Sequence, residues 1–158
     1  MIVSRRSLFL LAGLGSVALF GGALAFEYLG GLAPCTMCLW QRWPHRVAIV
    51  LAVVGLAIPN ALIAWLGAVS MAVNAGIAVL HTGVERGWWD GPQVCGANAA
   101  QDLGSLSAAD LFDTNSGPLL VLCNEPAWVF AGLSMASWNG IFCVLLAGVW
   151  IAAARARA

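Results

Sequence analysis

Long uncharged apolar blocks alternate with short polar stretches along this chain. A spanning helix needs about 20 mostly apolar residues, since the hydrocarbon layer is roughly 30 Å thick and each helical residue rises 1.5 Å. Three blocks meet this: Ser7 to Phe26, Ala61 to Leu80 with Asn74 at its middle, and Ala127 to Ala154 with Asn139 as its most polar residue. A fourth, Val47 to Ile58, has only 12 residues. To cross a bilayer it must extend back through Arg46, His45, Arg42 and Gln41 to about Leu39, so its outer end is a polar helical turn.

Charge fixes the expected topology. Arg5 and Arg6 precede the first block, and Arg155 and Arg157 follow the last. By the positive-inside rule both ends are expected in the cytoplasm, a parity that four spans satisfy. Only Pro59 and Asn60 separate the second and third spans, which predicts a tight turn and an antiparallel helix pair. The expectation is an all-α membrane protein, a single domain over 1–158. Its four-helix antiparallel bundle has spans at about 7–28, 39–58, 61–81 and 127–154. Two extracytoplasmic loops follow, at about 29–38 and 82–126. Within the second, Ser107 and Asp110 have capping-box spacing ahead of Leu111 and Phe112, which predicts a short amphipathic helix on the bilayer surface. Trp40, Trp43, Trp88, Trp89 and Trp128 suit an interfacial aromatic belt. Helix packing is expected through small residues such as Gly13, Gly15, Gly67, Gly76 and Gly132.

Composition agrees with a membrane protein: of 158 residues 61% are hydrophobic and 9% charged, with a mean hydropathy of +0.89. The net charge of zero gives no reason to expect a nucleic-acid or polyanionic partner. Ser4-Arg5-Arg6-Ser7-Leu8-Phe9-Leu10 resembles a twin-arginine export signal, and Ala23-Leu24-Ala25 a cleavage site. The apolar region nevertheless exceeds the usual signal-peptide length and three more spans follow, so it reads as a span.

Five cysteines in so short a chain suit an oxidising compartment. Pro34-Cys35-Thr36-Met37-Cys38 sits where the first outer loop becomes the second span. There the free amides and positive dipole end of a helix stabilise a thiolate, the reactive form of the sulfur. Arg42 and Arg46 follow Cys38 at successive helical turns. An arginine at membrane depth costs about 2.5–3.5 kcal/mol even on insertion scales. Arg42, beside a reactive thiol, is therefore expected to meet a ligand, whereas Arg46 and His45 fit headgroup contact equally well. His81 ends the third span, where an interfacial role would also explain it.

Cys95 and Cys123 lie 28 residues apart in the long outer segment. They suit either a structural staple or, in the company of a CxxC, the second half of a thiol-disulfide relay. Zinc would favour two clustered ligand pairs, so no metal site is expected. A c-type haem is excluded because Leu39 stands where a histidine must follow Cys38. Cys143, deep in the last span, is expected to be an inert core residue without polar company.

Pro34-Cys35-Thr36-Met37-Cys38-Leu39-Trp40-Gln41-Arg42 resembles the signature of the bacterial disulfide bond formation protein DsbB family. The likeness continues through His81-Thr82, Trp88-Trp89-Asp90-Gly91-Pro92-Gln93-Val94-Cys95, Cys123-Asn124-Glu125 and Ser137-Trp138-Asn139-Gly140-Ile141-Phe142. It implies an inner-membrane, quinone-dependent oxidase that recharges a soluble periplasmic thioredoxin-fold oxidant of the DsbA type. Two redox-active disulfides are implied, Cys95–Cys123 facing that partner and Cys35–Cys38 facing the membrane. Cys95 would accept the partner's thiolate. Cys38, as thiolate, would pass two electrons to ubiquinone or menaquinone, with Arg42 on a quinone oxygen and His81 nearby. Gln41, neutral where some relatives carry an acid, belongs to the same quinone-facing group.

Two other readings use the same features. A reductase of the vitamin K epoxide type also combines a four-helix bundle, a CxxC and a loop pair, but its CxxC sits on a late helix. A non-catalytic membrane scaffold would use both disulfides as staples.

Overall fold

The computed structural model describes residues 4–92, 95 and 122–156. Among these, four long helices form: α1 (Arg5–Tyr28), α2 (Thr36–Ala57), α3 (Ala61–Glu85) and α4 (Met135–Arg155). Their starts are set by side chains that take up free helical amides. Ser4, Asn60 and Ser134 accept from Ser7, Leu62 and Ser137 N–H at the heads of α1, α3 and α4. At the head of α2 the capping side chain is Cys35.

The main packing pairs are α1 with α2, α2 with α3, α3 with α4 and α4 with α1, so the helices close a ring. Between them lies a core of Phe9, Ala48, Ala52, Ala68, Met71 and Trp150. Leu14, Val50, Val53, Leu62 and Val144 are exposed on the outer faces, the inverse of a water-soluble bundle. α1, α3 and α4 are each long and apolar enough to cross a membrane. α2 is the polar exception, for the reason visible in its sequence, and it turns Gln41, Arg42 and His45 inward, where they are buried.

Arg5 ties one end of the bundle together. Its guanidinium donates to the carbonyls of Ala153, Pro59 and Ala156. This brings the head of α1, the tail of α4 and the Pro59–Asn60 turn to one end, with the cysteine-bearing head of α2 at the other.

Small residues do allow close approach. A Cβ built on Gly13 would come 2.7 Å from that of Ala52, and one on Gly67 would lie 2.3 Å from the Trp150 ring. Gly15 is likewise against Leu146. Two of the expected glycines behave differently. Gly76 has nothing within 4 Å of its Cβ position, and Gly132 is not in a helix.

The fourth span was expected to begin at 127, and its helix begins at Met135. Residues before it form an antiparallel hairpin, β1 (Val129–Phe130) paired with β2 (Leu133–Ser134). Ala131 (φ 51°) and Gly132 (φ 76°) both adopt left-handed backbone, as a two-residue hairpin turn demands. At the other side of the long segment α3 runs one turn beyond 81, to Glu85. The expected amphipathic helix around Ser107, Asp110, Leu111 and Phe112 lies outside the described residues.

Candidate functional site

Cys35 caps α2 with its sulfur, which accepts from Cys38 N–H at 3.2 Å. The same spacing brings the two sulfurs to 2.9 Å, sharing a hydrogen bond as a dithiol. His81, reaching in from α3, places Nε2 3.5 Å from the Cys35 sulfur. The hydrogen bond shared with Cys38, reinforced by His81, outweighs burial and holds the Cys35 thiol down at about 4. Thiolate-stabilising contacts in this state thus converge on Cys35, whereas the resemblance assigns the thiolate to Cys38.

Cys95 and Cys123 are joined as a disulfide. Both are buried in one cluster with Cys35, Met37 and Val84, against which Cys38 packs. The two pairs, far apart in sequence, therefore share a single packed site in which one pair is oxidised and the other reduced.

Arg42 is buried and makes an ion pair with Glu27 on α1 at 2.5 Å. The partner that a buried guanidinium demands is thus supplied partly from within the chain. Its Nε remains buried without a hydrogen-bond partner. Glu27 escaped the sequence reading. The signal was present, since it is the one acid outside the long outer segment and it closes the first span. Arg46 does not enter the site. It is exposed, with its guanidinium over the Phe20 and Trp43 rings at 5.1 and 4.9 Å, a stacking that shelters a cation near the apolar surface.

Four further side chains, Asn139, His45, Cys143 and Glu85, join the sequence-predicted ones. Gln41 Nε2 lies 2.9 Å from His81 Nδ1, and Gln41 Oε1 accepts from Asn139 Nδ2 at 2.9 Å. Asn139 Oδ1 in turn lies 2.9 Å from His45 Nε2. Cys143 is not without polar company: its sulfur is 3.7 Å from Asn139 Oδ1 and 3.8 Å from His45 Nε2. Glu85, one turn after His81, places Oε1 3.7 Å from His81 Nε2, while its other oxygen accepts from Ser134.

Cys35, Cys38, Gln41, Arg42, His81 and Asn139 line a cavity of about 520 Å³. A row of rings also lines it. Phe26, Trp128, Phe130, Trp138 and Phe142 contact one another in sequence at centroid distances of 5.3 to 6.3 Å. The hairpin before α4 makes this row possible by holding Trp128 and Phe130 nearly parallel. Of the expected belt, Trp40, Trp43, Trp88 and Trp89 are exposed, whereas Trp128 belongs to this wall. The volume falls within the roughly 300–1,000 Å³ of small-molecule sites, and a mostly apolar lining with a few polar groups is their usual form.

Residues 5–153 match the family model described as Disulfide bond formation protein DsbB. The chain belongs to the DsbB family. Among its relatives is the Disulfide bond formation protein B of Cupriavidus metallidurans, 28% identical, with 92% of this chain and 90% of the relative covered. That of Methylococcus capsulatus is 32% identical, covering 85% of each chain. That of Aromatoleum aromaticum is 31% identical, covering 93% of this chain and 90% of the relative. No solved structure matches the chain. DsbB family membership makes it a helical membrane protein with an oxidoreductase role in disulfide bond formation, and the paired cysteines fit redox-active disulfides.

Proposed function

We propose that this protein is an inner-membrane oxidase that reoxidises a DsbA-type periplasmic thioredoxin-fold protein and hands the electrons to membrane quinone. All four helices cross the bilayer, with both ends in the cytoplasm and the cysteines at the periplasmic end. The three apolar helices, the arginines at both ends and the polar residues that α2 turns inward support that topology.

The observation that carries the reading is the packing of a reduced pair and an oxidised pair in one cluster, with the reduced pair lining an apolar cavity. Cys95 receives the thiolate of the reduced partner and Cys123 leaves as a thiolate. The partner's second thiol then releases Cys95, so the partner is oxidised by two electrons and Cys95–Cys123 is reduced. Exchange with a Cys35–Cys38 disulfide restores Cys95–Cys123 and leaves Cys35 and Cys38 as the dithiol seen here. Cys35, capping α2 and facing His81, holds the negative charge.

The cavity fits a quinone head by its volume, its ring-lined wall and the unpartnered Nε of Arg42. Arg42, His81 and Gln41 would hold it, and bound ubiquinone or menaquinone would supply an acceptor for two electrons and two protons. Arg42 offers a charged donor to a carbonyl oxygen, Glu27 keeps that guanidinium in place, and the rings offer an apolar face on which a quinone ring can pack.

The test uses the full chain in detergent or lipid with a reduced thioredoxin-fold partner and quinone. Partner oxidation and quinone reduction should proceed together, and Cys38→Ser should abolish both. Quinone reduction that persists in Cys38→Ser would refute the assignment of that pair. Cys123→Ser should accumulate a partner disulfide-linked through Cys95, which a scaffold with stapled loops would not form.

A further inference from the structure

The hydrogen bonds that link Cys35 to His81, Gln41, Asn139 and His45 run through α2, α3 and α4, and each constrains the next. Asn139 Oδ1 faces His45 Nε2 at 2.9 Å and the Cys143 thiol at 3.7 Å. A thiol donates far better to an amide oxygen than it accepts from an amide nitrogen, so these contacts orient the amide with its oxygen toward them. Asn139 Nδ2 must then donate to Gln41 Oε1. That leaves the NH₂ group of Gln41 facing His81 Nδ1, which must accept and therefore carries no proton. On the other side of the ring, Nε2 faces the Cys35 sulfur at 3.5 Å and a Glu85 oxygen at 3.7 Å, both acceptors when ionised. Both sides of the imidazole thus demand one tautomer, with the proton on Nε2 and directed at the reactive sulfur.

We propose that Gln41, Asn139 and His45 are positioning residues that lock His81 as the Nε2–H tautomer, so that it donates to the Cys35 thiolate, and that Cys143 helps to set the direction of the relay. None of the three touches the sulfur. They act through His81, and the burial of Gln41, His45 and His81 keeps water from supplying a competing partner. The inference rests on the reading of Cys35 as a thiolate of the exchanging pair, but the tautomer itself is observable without partner, quinone or turnover.

The chain has two histidines, so nitrogen NMR of the dithiol protein labelled with ¹⁵N-histidine gives two imidazole spin systems, assigned with a His81→Asn sample in which only His45 remains. His81 is expected to show a protonated Nε2 and a bare Nδ1. Asn139→Asp should reverse it, because a carboxylate only accepts. Gln41 must then turn its NH₂ toward the new carboxylate and its oxygen toward Nδ1, drawing the proton there. Asn139→Leu adds no charge, removes the donor that orients Gln41, and should leave a mixture of tautomers.

Cys35 is surrounded by Cys38 on α2 and by His81 and Glu85 on α3, with the Arg42–Glu27 pair on the same cavity wall. Losing the Nε2–H donor should raise the pH midpoint of Cys35 alkylation by about one unit in Asn139→Asp, a tenfold loss of thiolate below the midpoint. A native His81 protonated on Nδ1, or a tautomer unchanged in both Asn139 variants, would overturn the proposal. The native spectrum decides even if a variant fails to fold. Failed quinone reduction with the expected tautomer would count against the functional reading alone.

Discussion

Arg42 on α2 and Glu27 on α1 form an ion pair at 2.5 Å, with the arginine largely buried and the acid partly so. The pair explains how an arginine is tolerated in the buried interior, and it fixes the guanidinium beside the cavity with Nε still unpartnered. Charge-assisted hydrogen bonds of this kind contribute about 1.5–3 kcal/mol.

Arg42→Ala should therefore lower both thermal stability and quinone affinity, whereas Glu27→Gln should chiefly lower stability, by about 1–2 kcal/mol. Arg42→Lys keeps a charge for Glu27 but has no Nε donor, so it should raise the KM for quinone with little change in Tm. Steady-state kinetics and thermal unfolding in detergent separate these outcomes. An Arg42→Lys enzyme with unaltered quinone KM would remove the arginine from the site.

Cys35 should be reactive in mild acid. Its thiol is held at about 4, chiefly by the bond shared with Cys38 and then by His81. The pKa is depressed, so the thiolate is present above about pH 4 and is lost only as pH falls through that value. Iodoacetamide should modify Cys35 of the dithiol form at nearly the same rate at pH 6 and pH 8, as measured by peptide mapping. An ordinary cysteine, with a pKa of about 8.5, would slow close to a hundredfold over that interval. His81→Ala should move the midpoint upward.

Gly67 faces the indole of Trp150, which is fully buried, so a methyl group there would meet the ring at 2.3 Å. Gly67→Ala should cost about 1–3 kcal/mol, the range for overpacking a close-packed interior. Gly76→Ala, on the same helix with no neighbour within 4 Å, should be neutral or slightly stabilising, since alanine favours helix more than glycine does. Thermal unfolding of the two variants side by side checks this, and equal losses would contradict the assigned packing.

Arg5 donates to carbonyls at Pro59, Ala153 and Ala156, whereas its neighbour Arg6 is exposed. Arg5→Gln should lower stability by about 2 kcal/mol and make the Pro59–Asn60 turn more open to proteolysis. Arg6→Gln should do neither. Limited proteolysis in detergent distinguishes the two.

Much of the bundle was legible in the chain. Uncharged blocks of 20 or more residues can satisfy their backbone in lipid only as helices, which is why Ser7–Phe26 and Ala61–Leu80 lie within single helices. The last helix starts at Met135, later than its apolar stretch implies, because an apolar stretch does not reveal a reversal. Ala131 and Gly132 turn the backbone there, and hydropathy is blind to backbone angle.

The chemistry divides in the same way. Cys35, Cys38 and Arg42 are linked by the short spacings of a helix and its cap, so the sequence by itself determined that a sulfur would sit on free amides with a cation one turn away. Only the tertiary structure decided what meets them. His81, Asn139 and Glu27 come from three other helices, and Cys95 and Cys123 from the long segment between α3 and α4. Their convergence depends on helix rotation and packing that no local pattern encodes. A buried charge or amide must find a partner because hydrogen bonds lost to water have to be replaced. The sequence could state that demand for Arg42, and the fold alone could answer it with Glu27.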